Sequence, residues 1–251
     1  MKDIEILSPG KRLRSVRKIL GLKQGELAGD RFSKNYISMF ENDKRSINVI
    51  NATYLAKKIN EMAEKKGKEV NINASYLLKN EYDMANDKCK DWIEKVENNL
   101  DMSGYEQNLN LFKVLKLSDE FGLIKYKGRA LYLKGIHSFN MGRYECAISQ
   151  FLEAINFFSK EDDYIALRDG YKSIGIILYK KNQFKEAVIY FKLSENAALK
   201  EGKIDINKID EIRYYRALCH YNMEEKKIAK NIISRCTHVD DKIRELKEKI
   251  V

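Results

Sequence analysis

An internal repeat constrains the fold of this 251-residue chain more than any other feature of the sequence. The stretch GIHSFNMGRYECAISQFLEA (135–154) aligns with GIILYKKNQFKEAVIYFKLS (175–194), so the offset from Gly135 to Gly175 is the repeat period. Two amphipathic helices that recur at such a period bury their apolar faces only by stacking on neighbouring copies. The repeat therefore predicts an α-solenoid in this part of the chain.

The aligned copies share small and aromatic residues at fixed positions. Gly135 corresponds to Gly175, and Phe151 corresponds to Phe191. A third copy at 217–234 keeps the small and apolar positions of its second helix but has lost the glycine, and a weaker copy is expected before the first. The pattern resembles tetratricopeptide repeats. Because the usual period of that family is about 34 residues, the longer period predicts extended connections between copies.

Composition favours a mostly helical chain and gives no sign of a membrane span. The sequence has a single proline, Pro9, and 13 glycines, which suits helices better than turn-rich folds. It lacks the long alternating Val/Ile/Thr runs that are typical of strands. No run of 18 apolar residues occurs, and the N-terminus lacks an apolar stretch of signal-peptide length. We therefore expect an all-α, cytoplasmic protein.

The residues that usually carry chemistry form no catalytic or metal-binding pattern. The four cysteines are far apart without a C-x-x-C pair, and we expect all four to be buried small hydrophobes in a reducing compartment. They are Cys89, Cys146, Cys219 and Cys236. The three histidines, His137, His220 and His238, have no nearby ligand partners. Glycine-rich phosphate-binding motifs are absent from the sequence. We expect neither an enzyme nor a cofactor or metal.

The positive charge is concentrated near the N-terminus. The formal net charge is +10. Residues 1–70 contain 16 Lys and Arg against 9 Asp and Glu, whereas the remainder contains 31 against 28. A basic small domain joined to a nearly balanced larger one suggests nucleic acid as the partner of the first part. A chain that is merely lysine-rich for solubility is the alternative.

The sequence of residues 1–66 predicts four helices around a small core. Ser8 and Pro9 suit the start of the first helix, and Ser33 suits the cap of a third helix that begins at Lys34. The apolar positions are Leu13, Val16, Leu20, Leu27, Ala28, Ile37, Phe40, Ile47, Ile50, Leu55 and Ile59. A short helix that turns into another, braced by two longer ones, is the layout of a helix-turn-helix domain.

The segment LKQGELAGDRFSKNYISMFENDKRSI (22–47) resembles the Xre/Cro repressor family of helix-turn-helix proteins. The positions that match the family pattern are Gln24, Leu27, Ala28, Ser33, Ile37, Ser38, Glu41, Asn42, Lys44 and Arg45. Asp43 stands where the family has glycine. The resemblance covers residues 8–60 and implies a DNA-binding head. It also implies an internal salt bridge between Arg17 and Glu41, which would make Glu41 structural.

The third helix and its surroundings supply the candidates for DNA contacts. Asn35 can bond the adenine edge in two places, and Lys34 can reach the acceptors of guanine. Polar and basic residues at helix ends suit phosphates. The resemblance implies that Gln24 binds a phosphate and that Ser38 or Met39 faces a base. The predicted DNA-binding residues are Lys23, Gln24, Ser33, Lys34, Asn35, Ser38, Met39, Asn42, Lys44 and Arg45. A domain that has kept this core and lost DNA binding is the alternative.

The first helix of each repeat is expected to line the concave face of the solenoid. An aromatic recurs there at one register, with Asn or Lys beside it. Carboxamides can bond a peptide backbone, and lysines can meet a carboxylate. The predicted peptide-binding residues are Tyr132, Phe139, Asn140, Lys172, Tyr179, Lys180, Tyr214, Tyr221 and Asn222. The alternative is that these aromatics only pack helix against helix.

The sequence thus predicts an all-α protein with a helix-turn-helix domain (1–66), a linker (67–73) and a tetratricopeptide-like solenoid (74–251). The combination resembles the peptide-sensing RRNPP regulators. That resemblance implies a cytoplasmic homodimer on a palindromic double-stranded DNA operator, with a signalling peptide that modulates DNA affinity. The alternative is a ligand-independent repressor or an interaction scaffold, whose repeats only dimerise or bind a partner. The final DDKIRELKEKIV can cap the solenoid or pair with a second subunit.

Overall fold

The structure of the chain is a computed structural model that describes residues 4–99 and 102–250. Fourteen α-helices lie in these ranges and no strand does, so the prediction of an all-α fold is confirmed. The helices are α1 (Pro9–Ile19), α2 (Gln24–Ala28), α3 (Lys34–Glu41), α4 (Val49–Lys65), α5 (Ala74–Leu78), α6 (Glu81–Asn98), α7 (Gly104–Phe121), α8 (Ile124–Asn140), α9 (Tyr144–Lys160), α10 (Tyr164–Lys180), α11 (Phe184–Ala198), α12 (Ile206–Asn222), α13 (Lys226–Ile233) and α14 (Asp241–Ile250). None of the helices in the described ranges is long and apolar enough to cross a membrane.

The chain forms two compact units, Met1–Lys90 and Asp91–Val251. The segment 67–73, predicted as a linker, lies in the first unit. The side chain of Asn60 holds this segment: its Nδ2 donates to the carbonyl oxygen of Ile72 at 2.8 Å, and its Oδ1 accepts from the Ile72 N–H at 2.9 Å. The segment leads into α5, whose Leu77 is fully buried in the first core. The first unit therefore contains more of the chain than the four predicted helices.

In the first unit, α1–α4 surround a core in which the predicted apolar residues meet. Its fully or nearly buried members include Leu13, Val16, Leu20, Leu27, Ile37, Phe40, Leu55 and Ile59. Ser8 caps α1 by accepting from the Lys11 N–H at 3.3 Å, and Ser33 caps α3 by accepting from the Tyr36 N–H at 3.2 Å. Both caps agree with the sequence-based expectation. Ile50 is 64% exposed, because other residues form the buried face of α4: Ala52, Leu55, Ala56, Ile59 and Ala63.

The second unit contains the predicted helical pairs as α8–α9, α10–α11 and α12–α13. Helices α8, α9 and α10 have 17 residues each, and three-residue turns join α8 to α9, α9 to α10 and α10 to α11. The middle residue of each turn has a positive φ, 71° at Gly142, 51° at Asp162 and 59° at Asn182. The expectation of extended connections was wrong for these copies, because long helices account for the long repeat period. The connection at 199–205, between α11 and α12, is longer.

Equivalent glycines and phenylalanines join the helices of the first two pairs. A Cβ added to Gly135 would lie 2.5 Å from Cε1 of Phe151, and one added to Gly175 would lie 2.7 Å from Cε1 of Phe191. Each ring therefore occupies the space that any larger residue at the glycine position would need. This contact is the physical reason for the matched glycine and aromatic positions in the sequence.

The third pair and the C-terminal helix share one cluster of buried residues. Its members are Ala217, Ala229, Ile232, Ile233, Cys236, Ile243, Leu246 and Ile250. The last three belong to α14 and form the stripe that the sequence predicts. Because this stripe is buried against its own chain, α14 covers the end of the helical array, which is one of the two roles expected for it.

The cysteines differ in their surroundings. Cys89, Cys219 and Cys236 are buried, as expected. Burial raises the pKa of Cys219 to about 12 and the pKa of Cys236 to about 11. Cys146 is exposed, so the expectation of burial was wrong for this residue. Its neighbour Ala147 takes the inward position on α9 instead.

Candidate functional site

The outer face of α3 carries the residues predicted to contact DNA bases. Lys34 and Asn35 are exposed at its N-terminus, and Met39 is 39% exposed one turn later. Ile37 and Phe40 are fully buried on the opposite face. This eight-residue helix therefore presents a polar and basic surface while two large apolar side chains fix its position in the core.

The other predicted DNA-binding residues lie around α3. Those that are exposed are Lys23, Ser33, Asn42, Lys44 and Arg45. Gln24 and Ser38 are half-buried. The oxygen of Ser33 already accepts the cap bond from the Tyr36 N–H, so its hydroxyl proton is the part that remains for a phosphate oxygen.

Glu41 anchors α3 to the helices around it. Arg17 donates to its carboxylate from Nε at 2.5 Å and from Nη2 at 2.9 Å, and Gln24 Nε2 donates to Oε2 at 2.8 Å. Burial by itself would raise the pKa of Glu41, but the hydrogen bonds from Arg17 and Gln24 and the charges of Arg17 and Arg14 outweigh it and lower the pKa below its ordinary value. The carboxylate therefore stays ionised and joins α1, α2 and α3.

Gln24 has a role that the sequence reasoning missed. The family resemblance assigns it to a phosphate, whereas its amide N–H here binds Glu41. The residue as a whole is half-buried. The contact with Glu41 fixes the direction in which the remaining amide atoms point. The Gln24 and Glu41 positions are 17 residues apart, so sequence spacing alone gives no sign of their contact.

The loop that follows α3 is held by its own side chains. Asn42 Nδ2 donates to the carbonyl oxygen of Ser38 at 2.7 Å, and the Arg45 guanidinium lies 4.3 Å from the ring centroid of Tyr36. A cation–π contact of this kind leaves the edge of the guanidinium available for other partners. Asn42 and Arg45 are thus ordered before any ligand binds, which lowers the entropic cost of a phosphate contact.

Asp43 has an unusual backbone conformation. Its φ is 53°, in the left-handed region that glycine adopts most easily. Aspartate is one of the few other residues that tolerate this region. Its carboxylate accepts hydrogen bonds from Ser8 and Gly10. The substitution of the usual family glycine therefore keeps the turn and adds a contact with α1.

Arg31 is a further basic residue beside the candidate interface. It is exposed, and its guanidinium lies 5.8 Å from the ring centroid of Phe32 and 5.3 Å from that of Tyr54. It precedes the cap of α3 by two residues. The sequence pattern of the family gave no reason to select it, because its orientation depends on two aromatic rings from different parts of the fold.

In the second unit, two aromatic residues of the predicted register, Phe139 and Tyr179, have polar neighbours from the following repeat. Phe139 packs against Tyr144 at a centroid distance of 5.9 Å, and the Lys180 ammonium lies 5.4 Å from the Phe139 ring. One repeat further along, Asn222 Nδ2 donates to the Tyr179 hydroxyl at 3.4 Å. The structure therefore brings the first two aromatics of this register, Phe139 and Tyr179, next to the polar residue of the following repeat.

The other predicted residues of this face are more strongly engaged in packing. Tyr132 lies against Phe151 and Phe158, and burial raises its pKa. Lys172 Nζ donates to Glu211 Oε2 at 2.9 Å. Tyr214 and Tyr221 pack against the C-terminal cluster, and Asn140 is exposed. Side chains that already have partners are less free to bind a ligand than the sequence suggested.

A cleft of about 360 Å³ lies between α12 and the start of α14. Of the predicted peptide-binding residues, Tyr214 lines it, and its pKa is raised by burial. Lys208, Glu211, His238 and Lys242 also line the cleft. The alignment did not select these residues, because Lys208 and Glu211 precede the aligned stretch 217–234 of the third copy and His238 and Lys242 follow it.

Comparisons with known proteins show a likeness to solved structures. No protein-family model matches the chain, and no curated protein matches its sequence. Among solved structures, the chain is similar to PlcR of Bacillus thuringiensis, determined in complex with the peptide PapR7 and DNA. The two share 14% sequence identity with a TM-score of 0.40, over 97% of this chain and 99% of that chain.

Among the described residues, no group of three or more His, Cys, Asp or Glu is placed to hold a metal ion.

Proposed function

We propose that this protein is a sequence-specific DNA-binding transcriptional regulator. The observation that carries the proposal is the exposed Lys34–Asn35 end of α3 on a helix held by the Arg17, Gln24 and Glu41 contacts. A short helix fixed in this way can enter the major groove as a rigid body. Asn35 reads adenine and Lys34 reads guanine, with Ser38 and Met39 on the same helix. Lys44 and Arg45 in the exit loop bind phosphates.

The second unit is the regulatory part in this proposal. It dimerises the protein and binds a signalling peptide that changes DNA affinity, as its resemblance to RRNPP regulators implies. The Phe139–Lys180 and Tyr179–Asn222 contacts support a peptide surface. In a dimer on a palindromic operator, the two heads lie roughly 34 Å apart to occupy successive major grooves. The peptide acts by favouring one arrangement of the heads over another.

A ligand-independent repressor or scaffold is the second candidate. Tyr132, Tyr214 and Tyr221 are engaged in packing, and Lys172 is paired with Glu211. These contacts favour repeats that serve only for dimerisation or partner binding. Operator affinity measured in a titration with peptides from the native culture medium separates the two candidates. A peptide that binds the protein and shifts operator affinity supports the regulator, whereas peptides that bind without any shift support the ligand-independent candidate.

Asn35→Ala and Lys44→Ala are expected to affect DNA binding in different ways. Loss of the Asn35 carboxamide should cost about 1–3 kcal/mol at one base position and relax the sequence preference there. Loss of the Lys44 charge should weaken all duplexes alike and reduce the dependence of affinity on salt. Fluorescence anisotropy with a selected duplex and a random duplex, at several salt concentrations, measures both effects.

Lys65→Ala is the control for this pair, because Lys65 is exposed at the far end of α4. It should leave both affinities close to those of the wild type. If Asn35→Ala weakened the selected and the random duplex by the same factor, α3 would not read bases as proposed.

A further inference from the structure

Asp43 joins the exit of α3, the loop that begins at Asn42, to the first turn of α1. Its carboxylate accepts from the Ser8 hydroxyl at 2.5 Å and from the Gly10 N–H at 2.9 Å. The Gly10 amide lies in the first turn of α1, where N–H groups have no partner within the helix and where negative charge is favourable. Asp43 is therefore a cap for α1 that comes from a different element of the fold.

Gly10 brings these two elements into direct contact. A Cβ added to Gly10 would overlap the carbonyl oxygen of Phe40 and would lie 2.6 Å from Oδ1 of Asp43. The first turn of α1 thus packs against the last turn of α3 without any intervening side chain. A shift of α1 along or away from this contact has to move the end of α3 or break the two Asp43 hydrogen bonds.

Arg12 joins the same turn of α1 to a different part of the unit. It is 2% exposed. Its guanidinium donates to the carbonyl oxygens of Tyr76 at 2.8 Å and Leu7 at 2.6 Å, and also to that of Lys79. Burial lowers its pKa, although nearby acidic groups act in the opposite direction. A buried cation held by carbonyl oxygens at the end of α5 is a strong and directional contact.

A cleft of about 400 Å³ separates the exit loop of α3 from the α5–α6 junction, which consists of Lys79 and Asn80. Its lining includes Gly10, Asp43, Arg45, Leu78 and Glu81. The space between the loop and the junction is open at this cleft. Helix α1 packs against both α3 and α5, so it is one of the elements that connect them.

We propose that Arg12 and Asp43 are positioning residues through which the first turn of α1 couples the α5–α6 junction to the exit of α3. A displacement of the junction then moves the base-reading helix, although neither residue reads a base. The consequence for DNA rests on the proposed function, whereas the coupling itself is a property of the free protein. By linkage, the coupling acts in both directions.

Hydrogen exchange of the full-length protein without DNA tests the coupling. The Asn42, Asp43 and Lys44 amides report on the exit of α3, because they donate to Ser38, Phe40 and Met39. The Lys79 amide, which donates to Ser75, reports on the junction.

Three variants test the coupling: Arg12→Met, Asp43→Gly and Asp43→Asn. Glycine at position 43 keeps the turn, and asparagine there retains an acceptor for the Gly10 N–H. Lys11→Met is the matched control, because Lys11 is exposed in the same turn.

In Arg12→Met, exchange at the exit of α3 should rise by about tenfold relative to the α4 amides, and Asp43→Gly should raise exchange at Lys79. Asp43→Asn should restore most of the protection, and Lys11→Met should change neither site. Arg12→Lys replaces Arg12→Met if the latter does not fold. Changes confined to the mutated contact, or an equal rise in the α4 amides, would overturn the coupling.

A second measurement tests whether the coupling affects DNA affinity. Affinity for a selected duplex should fall by about tenfold in Asp43→Gly and recover in Asp43→Asn. If the wild type binds no duplex, the proposed function fails while the exchange result still decides the coupling. If Asp43→Gly binds like the wild type although its α3 exit exchanges faster, the effect on DNA reading is overturned.

Discussion

Replacement of Glu41 by alanine should lower the unfolding free energy of the first unit by about 3–5 kcal/mol. The side chain of Glu41 is 1% exposed and that of its partner Arg17 is 12% exposed. Removal of the Glu41 carboxylate leaves the Arg17 guanidinium without its ion-pair partner. It also removes the acceptor of the Gln24 amide hydrogen bond. Because α3 loses the ion pair and hydrogen bonds that join its last turn to Arg17 of α1 and Gln24 of α2, specific DNA binding should be lost along with stability.

Thermal unfolding followed by circular dichroism measures this effect, with hydrogen exchange of the α1–α4 amides to assign it to the first unit. Glu64→Ala is the matched control, because Glu64 is exposed on α4. It should change the unfolding free energy by less than about 0.5 kcal/mol. An unchanged midpoint in Glu41→Ala would show that the buried pair does not hold the head together.

The Glu41 carboxylate should also make the unfolding free energy of the first unit decrease at acidic pH. The pKa of Glu41 is lowered in the folded protein from its ordinary value of 4.5. A lowered folded-state pKa contributes stability that is present above pH 4.5 and is lost as the pH falls through the folded-state value. Glu41→Gln should lack this part of the pH dependence.

Phe191→Ala should lower the unfolding free energy of the second unit by about 3–5 kcal/mol. Phe191 is fully buried, faces Gly175, and stacks on Tyr215 with a centroid distance of 5.6 Å and an interplanar angle of 14°. Tyr215 in turn contacts Tyr179 at 6.3 Å. The cavity left by the ring should therefore loosen the proposed peptide surface as well as the core.

Trp92 is the single tryptophan of the chain and lies in the second unit, so its fluorescence during urea unfolding reports on this unit. Phe112→Ala is the control, because Phe112 is 58% exposed on α7. It should leave the urea midpoint nearly unchanged. Equal midpoints for Phe191→Ala and Phe112→Ala would contradict the role assigned to the Gly175–Phe191 contact.

The parts of the head that sequence alone predicted are those fixed by local chemistry. Ser33 and Ser8 cap helices through bonds to amides three residues away. The spacing of Ile37 and Phe40 places both on one face. By contrast, the contacts of Arg12 with Tyr76 and Lys79 join residues that are far apart in the chain. No local pattern marks such a pair, because the partners are backbone carbonyls.

The repeats were predictable in period and in packing chemistry, but their geometry was not. The matched glycine and phenylalanine positions correspond to real contacts, at Gly135 with Phe151 and at Gly175 with Phe191. The long repeat period suggested longer connections, whereas the helices are longer instead. Turn residues such as Asp162 and Asn182 adopt positive φ without glycine, so the short turns left only a weak signal in the sequence.

Selection of bound duplexes from a random pool tests the central claim that α3 of this protein reads DNA. The wild type should enrich a palindromic site with half-sites about one helical turn apart. Its affinity for that site should fall steeply with added salt, and Asn35→Ala should lose the enrichment at one position in each half-site. Failure to enrich any sequence, with random duplex bound as tightly as any selected one, would contradict the account.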